Sequence, residues 1–212
     1  MADGGPVSIG LCADTHYWPQ GEDYVTPDGS RQLQGSSQAL LSTLFTELKR
    51  AELDLIIHLG DLTCGGGTYA MSPEAYNTAV VDLYRTYQNL NLPMYILPGN
   101  HDSLPGTGGW STFHSIWGLE PGLGITIDVP AARLVLVNTH GHSPAQIAQA
   151  EDFDPVYGWV NDAELQRVEA SLATAGTRPV LVFTHQLLAP WSDADGWKDF
   201  YGVRNAAEVH AV

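Results

Sequence analysis

Metal-ligating side chains follow four short apolar runs of this 212-residue chain, each at the point where a strand is expected to end. In chain order they are Asp14 and His16, Asp61, Asn100 and His101, and His185. In open α/β sheets, ligands bind beyond the carboxyl ends of the strands, so these separate loops are expected to converge. Carboxylate, amide and imidazole groups suit zinc, manganese or iron, and no cysteine cluster points to a softer metal. The sequence therefore predicts one metal site assembled from several loops.

The spacing of these residues indicates how two ions would share them. Asp14 and His16 are alternate residues beyond the same strand, so both side chains can converge on one ion. The carboxylate of Asp61 has two oxygens and can bridge two ions. Asn100 and His185 would then serve the second ion.

Apolar runs and amphipathic stripes alternate along the chain and predict the elements that position the site. Length and apolar continuity predict buried strands at 7–13, 53–59, 92–97 and 179–184. Stripes at helical spacing predict two helices, through Leu40, Leu41, Leu44, Phe45 and Leu48, and through Tyr76, Ala79, Val80, Leu83, Tyr84 and Tyr87. Ser72 as N-cap and Pro73 at the first helical position mark the start of the second helix. A third helix is expected from Asn161, with Glu164 at capping-box spacing, to about Ala173.

The middle of the chain departs from this alternation. Residues 124–129 and 133–138 are short β-rich runs joined by residues 130–132, which predicts a hairpin. Strands alternating with helices indicate a largely parallel sheet, so with the hairpin we expect an α/β fold with two sheets or one mixed sheet. Residues 23–38 and 142–157 are expected to be long loops, which are often functional at this length.

Composition limits the classes of partner. The chain has 24 Asp and Glu but only 9 Lys and Arg, a net charge of -15, so no basic footprint for duplex nucleic acid is present. Small phosphorylated substrates stay compatible with this charge if bound cations dominate the local field. The size predicts a single domain over residues 1–212, and Cys12 and Cys64 are expected to be buried free thiols. Without a signal segment or an apolar run near ~18 residues, a cytoplasmic protein away from membranes is expected.

The motifs Asp14-Thr15-His16, Gly60-Asp61, Gly99-Asn100-His101-Asp102 and Thr184-His185, in this order, resemble those of the calcineurin-like metallophosphoesterases. This group is also called the purple-acid-phosphatase-like superfamily, and the resemblance spans residues 7–185. It implies a two-sheet β-sandwich flanked by helices, in four α/β/β/α layers, with a dinuclear metal centre at one end.

By position, the resemblance assigns Asp14 and His16 to the first metal, Asp61 to the bridge, and Asn100 and His185 to the second metal. It makes His101 the proton donor to the leaving oxygen, while a hydroxide held by two divalent ions, manganese, iron or zinc, attacks phosphorus. The expected activity is hydrolysis of phosphomonoesters or phosphodiesters. The spacing and small size resemble the compact cyclic-nucleotide phosphodiesterases of the family, which favours diesters.

One departure from the family pattern opens an alternative. Family members usually carry a late Gly-His-x-His element that adds a ligand to each metal, and none follows His185 here. We therefore expect a chain shortened at its C-terminus, lacking its last strands, with an open sheet edge that self-association could cover. The alternative function is a degenerate scaffold or metal-dependent binding module. His140 and His142 flank Gly141 after a strand and are the best substitutes for the missing ligands.

Several other residues have competing interpretations. His58 and His114 are expected to be structural, and a ligand role for His210 is disfavoured. Asp102 could orient His101 or simply cap a turn. Tyr17 and Trp18 could line the substrate cleft or pack in the core.

Overall fold

The structure, a computed structural model, describes residues 5–26, 29–189 and 200–212. The strands are β1 (Ile9–Cys12), β2 (Tyr24–Val25), β3 (Arg31–Gln32), β4 (Leu55–His58), β5 (Met94–Ile96), β6 (Ile125–Val129), β7 (Ala132–Val137) and β8 (Val180–Thr184). The helices are α1 (Ser37–Arg50), α2 (Pro73–Gln88), α3 (Ser111–Trp117), α4 (Pro144–Gln149), α5 (Asp162–Ala173) and α6 (Ala206–Val209).

The main strands form two separate sheets. In the first, β1, β4 and β5 lie parallel in that order. In the second, β6 and β7 form the expected antiparallel hairpin, and β8 lies parallel to β7. Ala132 pairs with Val129, so it belongs to β7 and the turn is one residue shorter than expected. The two-sheet form of the predicted α/β fold is confirmed.

Alternation along the central strands builds the core in layers. Leu55 and Ile57 of β4 pack with Leu134 and Leu136 of β7 between the sheets. Ile56 points the opposite way, because successive strand residues face opposite sides, and it packs against helices α1 and α2. Val135 and Val137 likewise face outward and pack with Val168 of α5. The result is the four-layer α/β/β/α arrangement that the family resemblance implies.

Helix α2 begins where its start signals place it. The Ser72 hydroxyl accepts a hydrogen bond from the N–H of Ala75, and Pro73 opens the helix. Its stripe, including fully buried Tyr76 and Val80, packs against the first sheet. In α1, Leu40 departs from its predicted stripe and is 54% exposed, since this part of the helix turns it toward solvent.

Helix α5 is tied to the hairpin by one buried carboxylate. Asn161 caps the helix by accepting from the N–H of Glu164 at 2.9 Å, as expected. The Glu164 carboxylate accepts hydrogen bonds from Gly124 and Asn138 main-chain N–H groups at 3.0 and 2.9 Å, and pairs with Arg167. Glu164 therefore joins the helix to the second sheet instead of closing the predicted capping box.

The two segments expected to be long loops contain regular structure. Strands β2 and β3 and the start of α1 lie within residues 23–38, and α4 lies within residues 142–157. Ser143 and Gln146 form a reciprocal capping box that starts α4, a signal that the sequence carries. The long-loop predictions are therefore wrong in detail.

The outer strands β1 and β8 leave apolar side chains exposed among the described residues. Leu11 lies on the same face of β1 as Ile9, which packs between the sheets, yet Leu11 is 55% exposed. Leu181 lies on the same face of β8 as Phe183 and is 48% exposed. Both cysteines are free, with Cys64 buried and Cys12 half-buried. None of the helices in the described ranges has the length and apolar character to cross a bilayer.

Candidate metal centre

Asp61 lies at the centre of the predicted site and is 4% exposed. One carboxylate oxygen, Oδ2, lies 3.8 Å from Nε2 of His16 and 3.4 Å from Nε2 of His185. The other, Oδ1, accepts a hydrogen bond from the main-chain N–H of His101 at 2.7 Å. Burial alone would raise the pKa of Asp61, but the His185 and His101 imidazoles lower it well below its usual range. Asp61 is therefore a buried, ionised carboxylate with histidines on several sides.

The ligand atoms fall into two overlapping groups. In one, those of His16, Asp61 and His101 lie within 4.8 Å of one another, and in the other, those of Asp14, Asp61 and His185 do so, so the groups differ from the predicted pairing of Asp14 with His16. Asp61 belongs to both, which is the position a bridging carboxylate requires. The structure thus brings the loops after β1, β4, β5 and β8 together, as the sequence predicts.

His185 is held in a tautomer suited to ligation. Its Nδ1 lies 2.9 Å from the carbonyl oxygen of Leu59 and donates to it, which leaves Nε2 facing Asp61 and Asn100. Metal-ligating histidines commonly donate their second nitrogen to a carbonyl in this way. Burial opposes a positive charge on His185, but the Asp61 carboxylate outweighs it and raises the pKa to about 9. Surroundings that stabilise a positive charge on His185 also stabilise a bound metal cation.

The donor set fits divalent cations. His16 buries Nδ1 without a hydrogen-bond partner among the described residues, while its Nε2 lies 3.8 Å from Asp14. Burial lowers the pKa of His16, but the nearby carboxylates of Asp14 and Asp61 raise it overall. The described lining of the cleft contains no lysine or arginine to neutralise these carboxylates. The residues present therefore fit an imidazole and carboxylate metal site.

The backbone is strained at three of the predicted ligands. Asp14, His16 and Asp61 have φ angles of 53°, 42° and 54°, in the left-handed region. Non-glycine residues there cost about 1 to 2 kcal/mol each, and such strain clusters at functional sites. Gly99 explains the close contact of two loops, because a Cβ at this position would collide with the Asp61 carboxylate.

Comparison with known proteins agrees with this geometry. The model of the calcineurin-like phosphoesterase family matches residues 7–210. The chain belongs to this family. It is 24% identical over 197 residues to the 3',5'-cyclic adenosine monophosphate phosphodiesterase CpdA of Haemophilus influenzae, covering 90% of this chain and 61% of that protein. The chain thus spans less than two thirds of the length of this curated relative.

Solved structures share the fold at low sequence identity. A dimetal phosphatase from Danio rerio superposes with a TM-score of 0.73 at 16% identity, covering 97% of this chain and 76% of that one. A purple acid phosphatase from yellow lupin, Lupinus luteus, gives a TM-score of 0.50 at 14% identity, covering 93% of this chain and 33% of that one. These likenesses support the predicted four-layer fold.

In this chain Asp102 caps a turn instead of orienting His101. Its buried carboxylate accepts main-chain N–H hydrogen bonds from Leu62, Thr63 and Gly99 at 2.9, 3.1 and 2.9 Å. His101 instead has its Nδ1 3.1 Å from the carbonyl oxygen of Gly65. Asp102 therefore fastens the loop that carries Asn100 and His101 to the loop that carries Asp61.

A cleft of about 870 Å³ lies over the site and has an aromatic wall. Tyr24, Tyr69, Phe200 and Tyr201 contribute to it. The Tyr69 ring centre lies 4.7 Å from that of His101 and 5.5 Å from that of His16. Sequence reasoning missed Tyr69 because it is far along the chain from every motif it touches.

Tyr17 and Trp18 do not line this cleft. The Tyr17 N–H donates to the Leu62 carbonyl at 2.8 Å, and its side chain is 7% exposed in the core beneath α1 and α2. Trp18 packs against the same core. Gln186 is a further residue that sequence reasoning missed: it is buried and donates to Oδ1 of Asn100 at 3.1 Å. Its place directly after His185 was the available signal.

His58 and His114 lie in the core, as expected for structural histidines. His58 accepts from the Gly60 N–H at 3.2 Å and contacts the Thr15 hydroxyl, and burial lowers its pKa to about 3. Burial also lowers the pKa of His114 to about 4. The Nε2 of His210 lies 3.2 Å from the carbonyl oxygen of Leu188, away from the ligand groups.

The His140 and His142 pair lies in an aromatic stack next to His185. The His140 ring centre is 4.8 Å from Trp110, 5.7 Å from His142 and 5.8 Å from His185. Burial lowers the pKa of His140 well below its usual range and that of His142 to about 4, so both rings are neutral near pH 7.

Proposed function

We propose that this phosphoesterase hydrolyses phosphoric esters at a two-metal centre, with Asp61 as the shared ligand. Asp14 and His16 would complete one ion's protein ligands, and Asn100 and His185 those of the other. The observation that carries the proposal is the membership of Asp61 in both ligand groups. When bound, two such cations supply an activated water and neutralise charge on the phosphoryl oxygens.

His101 is the residue placed to move a proton. It is the middle residue of a 3-10 turn that begins directly after Gly99, and its main-chain N–H donates a hydrogen bond to the Asp61 carboxylate at 2.7 Å. Its Nδ1 donates to the carbonyl of Gly65, so Nε2 is the nitrogen that delivers a proton to the leaving oxygen. The contact with Tyr69 limits rotation of the ring. After transfer, the imidazole is neutral and keeps its Nδ1 proton on Gly65.

The cleft favours a substrate with one phosphate and a flat, neutral organic group. Apart from the predicted site residues, its described lining offers aliphatic, aromatic and uncharged polar side chains but no lysine or arginine, so a second phosphate would find no partner. Tyr24 and Tyr69 pack edge to face, 5.4 Å apart, on one wall. Aromatic rings bind nucleobases by stacking, worth about 1–3 kcal/mol per base. With the similarity to a cyclic-nucleotide phosphodiesterase, we propose phosphodiesters of this shape, cyclic nucleotides among them.

The activity is tested with bis-p-nitrophenyl phosphate, p-nitrophenyl phosphate and 3',5'-cyclic AMP after chelation and reloading with Mn²⁺. We expect Mn²⁺ to restore hydrolysis and the charge-removing Asp61→Asn variant to abolish it. His114→Gln, at a buried histidine outside both ligand groups, is the matched control and should keep full activity. Bound metal without hydrolysis of any ester would instead support a binding module.

The role of His101 has its own test. General acids contribute about 10²–10⁴-fold to rate, and they matter most when the leaving oxygen is basic. We therefore expect His101→Ala to slow hydrolysis of cyclic AMP, which has an alkoxide leaving group, far more than that of p-nitrophenyl esters. An equal effect on both substrates would contradict proton donation.

A further inference from the structure

A buried histidine pair outside the ligand groups has no polar partners. His140 and His142 flank Gly141 just after β7, and all four of their ring nitrogens are buried without a hydrogen-bond partner among the described residues. His140 is only 3% exposed. Buried polar groups are almost always hydrogen-bonded, and each exception needs an explanation such as a bound ion or water.

The surroundings of His140 point toward the metal centre. Its ring centre lies 5.8 Å from that of His185. Two imidazoles bound at about 2.1 Å to one tetrahedral ion have ring centres roughly 5 Å apart, so this spacing is within about 1 Å of that arrangement. Trp110 stacks on the other side of His140 and donates its indole N–H to the Gly99 carbonyl at 2.7 Å, directly before Asn100. His140 is thereby held against the same loops that carry the predicted ligands.

Asp61, Asn100 and His185 are the described residues proposed to hold the ion on this side of the site, and Asp61 belongs to both ligand groups. The Asn100 oxygen also accepts from Gln186, so part of its capacity is already used. A borderline divalent ion commonly takes four to six ligands, and neutral imidazole is a preferred one.

We propose that His140 is an additional nitrogen ligand of the ion that Asn100 and His185 hold. The proposal rests on the two-metal function proposed above. It gives one of the two unpartnered ring nitrogens of His140 a partner.

His142 is the less buried member of the pair. Its ring contacts are with Trp110, His140 and Tyr157. The Tyr157 main chain approaches the His142 ring without full hydrogen-bond geometry, which gives His142 a polar neighbour. His142 therefore serves as the matched control: the same residue type, two positions away, in the same stack.

Metal binding is measured by isothermal titration with Mn²⁺ and Zn²⁺ and by elemental analysis, for the full chain and three variants. We expect His140→Gln to weaken one of two sites by about 10-fold or more, the scale of losses at metal-site histidine networks. His142→Gln and the remote His114→Gln should change neither site by more than about 3-fold. Two sites unchanged in His140→Gln would overturn this proposal alone, whereas a wild-type chain that binds no ion would overturn the two-metal function as well.

A second measurement uses only the wild-type protein, so it does not depend on whether a variant folds. Pulsed EPR of the Mn²⁺-loaded wild-type protein, with and without ¹⁵N-histidine, counts the imidazoles bound to the ions. The predicted ligand set with His140 contains one more imidazole than the set without it. A count that matches only His16 and His185 would overturn the proposal and would leave a buried water as the partner of His140.

Discussion

The substitution Asp102→Asn tests how the site loops are fastened together. Asp102 is fully buried, and its two carboxylate oxygens accept the N–H groups of Leu62, Thr63 and Gly99. Asparagine has one acceptor oxygen, so it can keep Leu62 and Thr63 but must point its NH₂ at the N–H of Gly99. Two donors then face each other in a site without access to water.

The magnitude follows from these three bonds. An orphaned buried N–H costs about 1–3 kcal/mol, and each bond to a charged acceptor loses part of its strength when the acceptor becomes neutral. We expect a loss of about 3 kcal/mol in the free energy of unfolding. With a urea m-value of roughly 2 kcal/mol/M, the midpoint should fall by roughly 1.5 M.

The assay is equilibrium unfolding in urea with chelator present, so that metal binding does not contribute. It is run above pH 8, because burial and the nearby Asp61 raise the pKa of Asp102 to about 7. The control is Asp54→Asn, where an exposed carboxylate accepts one N–H, from Ser8 at 2.8 Å. A loss under 1 kcal/mol for Asp102→Asn, or equal losses in the two variants, would refute the reasoning.

Other predictions concern stability, pH and the aromatic wall. Glu164→Ala leaves Arg167 and two main-chain N–H groups without their partner, so the free energy of unfolding in urea should fall by about 3–5 kcal/mol. The exposed control Glu47→Ala should lower it by under 1 kcal/mol. Similar losses in the two variants would contradict this role of Glu164. Because the folded pKa of His114 is about 4, below the 6.5 of the unfolded chain, stability should be unaffected above pH 6.5 and fall by roughly 3 kcal/mol between pH 6.5 and pH 4. His114→Gln should flatten that part of the profile, and an unchanged slope would argue against it. Tyr69→Ala removes the ring that contacts His16 and His101 and should lower kcat/KM by about 10²-fold in steady-state assays. Tyr69→Phe keeps this ring, so its kcat/KM should stay within about 3-fold of the wild-type value. Equal effects of the two variants would show that the ring contact is irrelevant.

Local patterns were enough to predict the strands of the two main sheets and the loops of the candidate site. Strands β1, β4, β5 and β8 end within four residues of Asp14, Asp61, Asn100 and His185. Parallel strands bring their carboxyl ends to one edge, so a one-dimensional pattern specified a three-dimensional cluster. The start of α2 was equally readable, since the Ser72 cap acts within three residues.

Long-range partnerships could not be predicted in this way. Glu164 occupies a capping-box position, yet its carboxylate binds the hairpin some 26 to 40 residues away. Asp102 adjoins His101 but binds loop residues 39 and 40 positions earlier. Tyr69 contacts the site histidines only because the sheets bring separate loops together. In each case the side chain had a local partner of suitable chemistry, and tertiary packing offered it a better one.

The left-handed backbone at Asp14, His16 and Asp61 affects how a mutational scan of this protein should be interpreted. Alanine at these positions removes a ligand and also raises the conformational cost of the loop, so lost function would mix two causes. Asparagine tolerates the same φ angles and removes only the charge of Asp14 or Asp61. Paired alanine and asparagine variants at each aspartate would therefore separate the contribution of backbone shape from that of ligand chemistry.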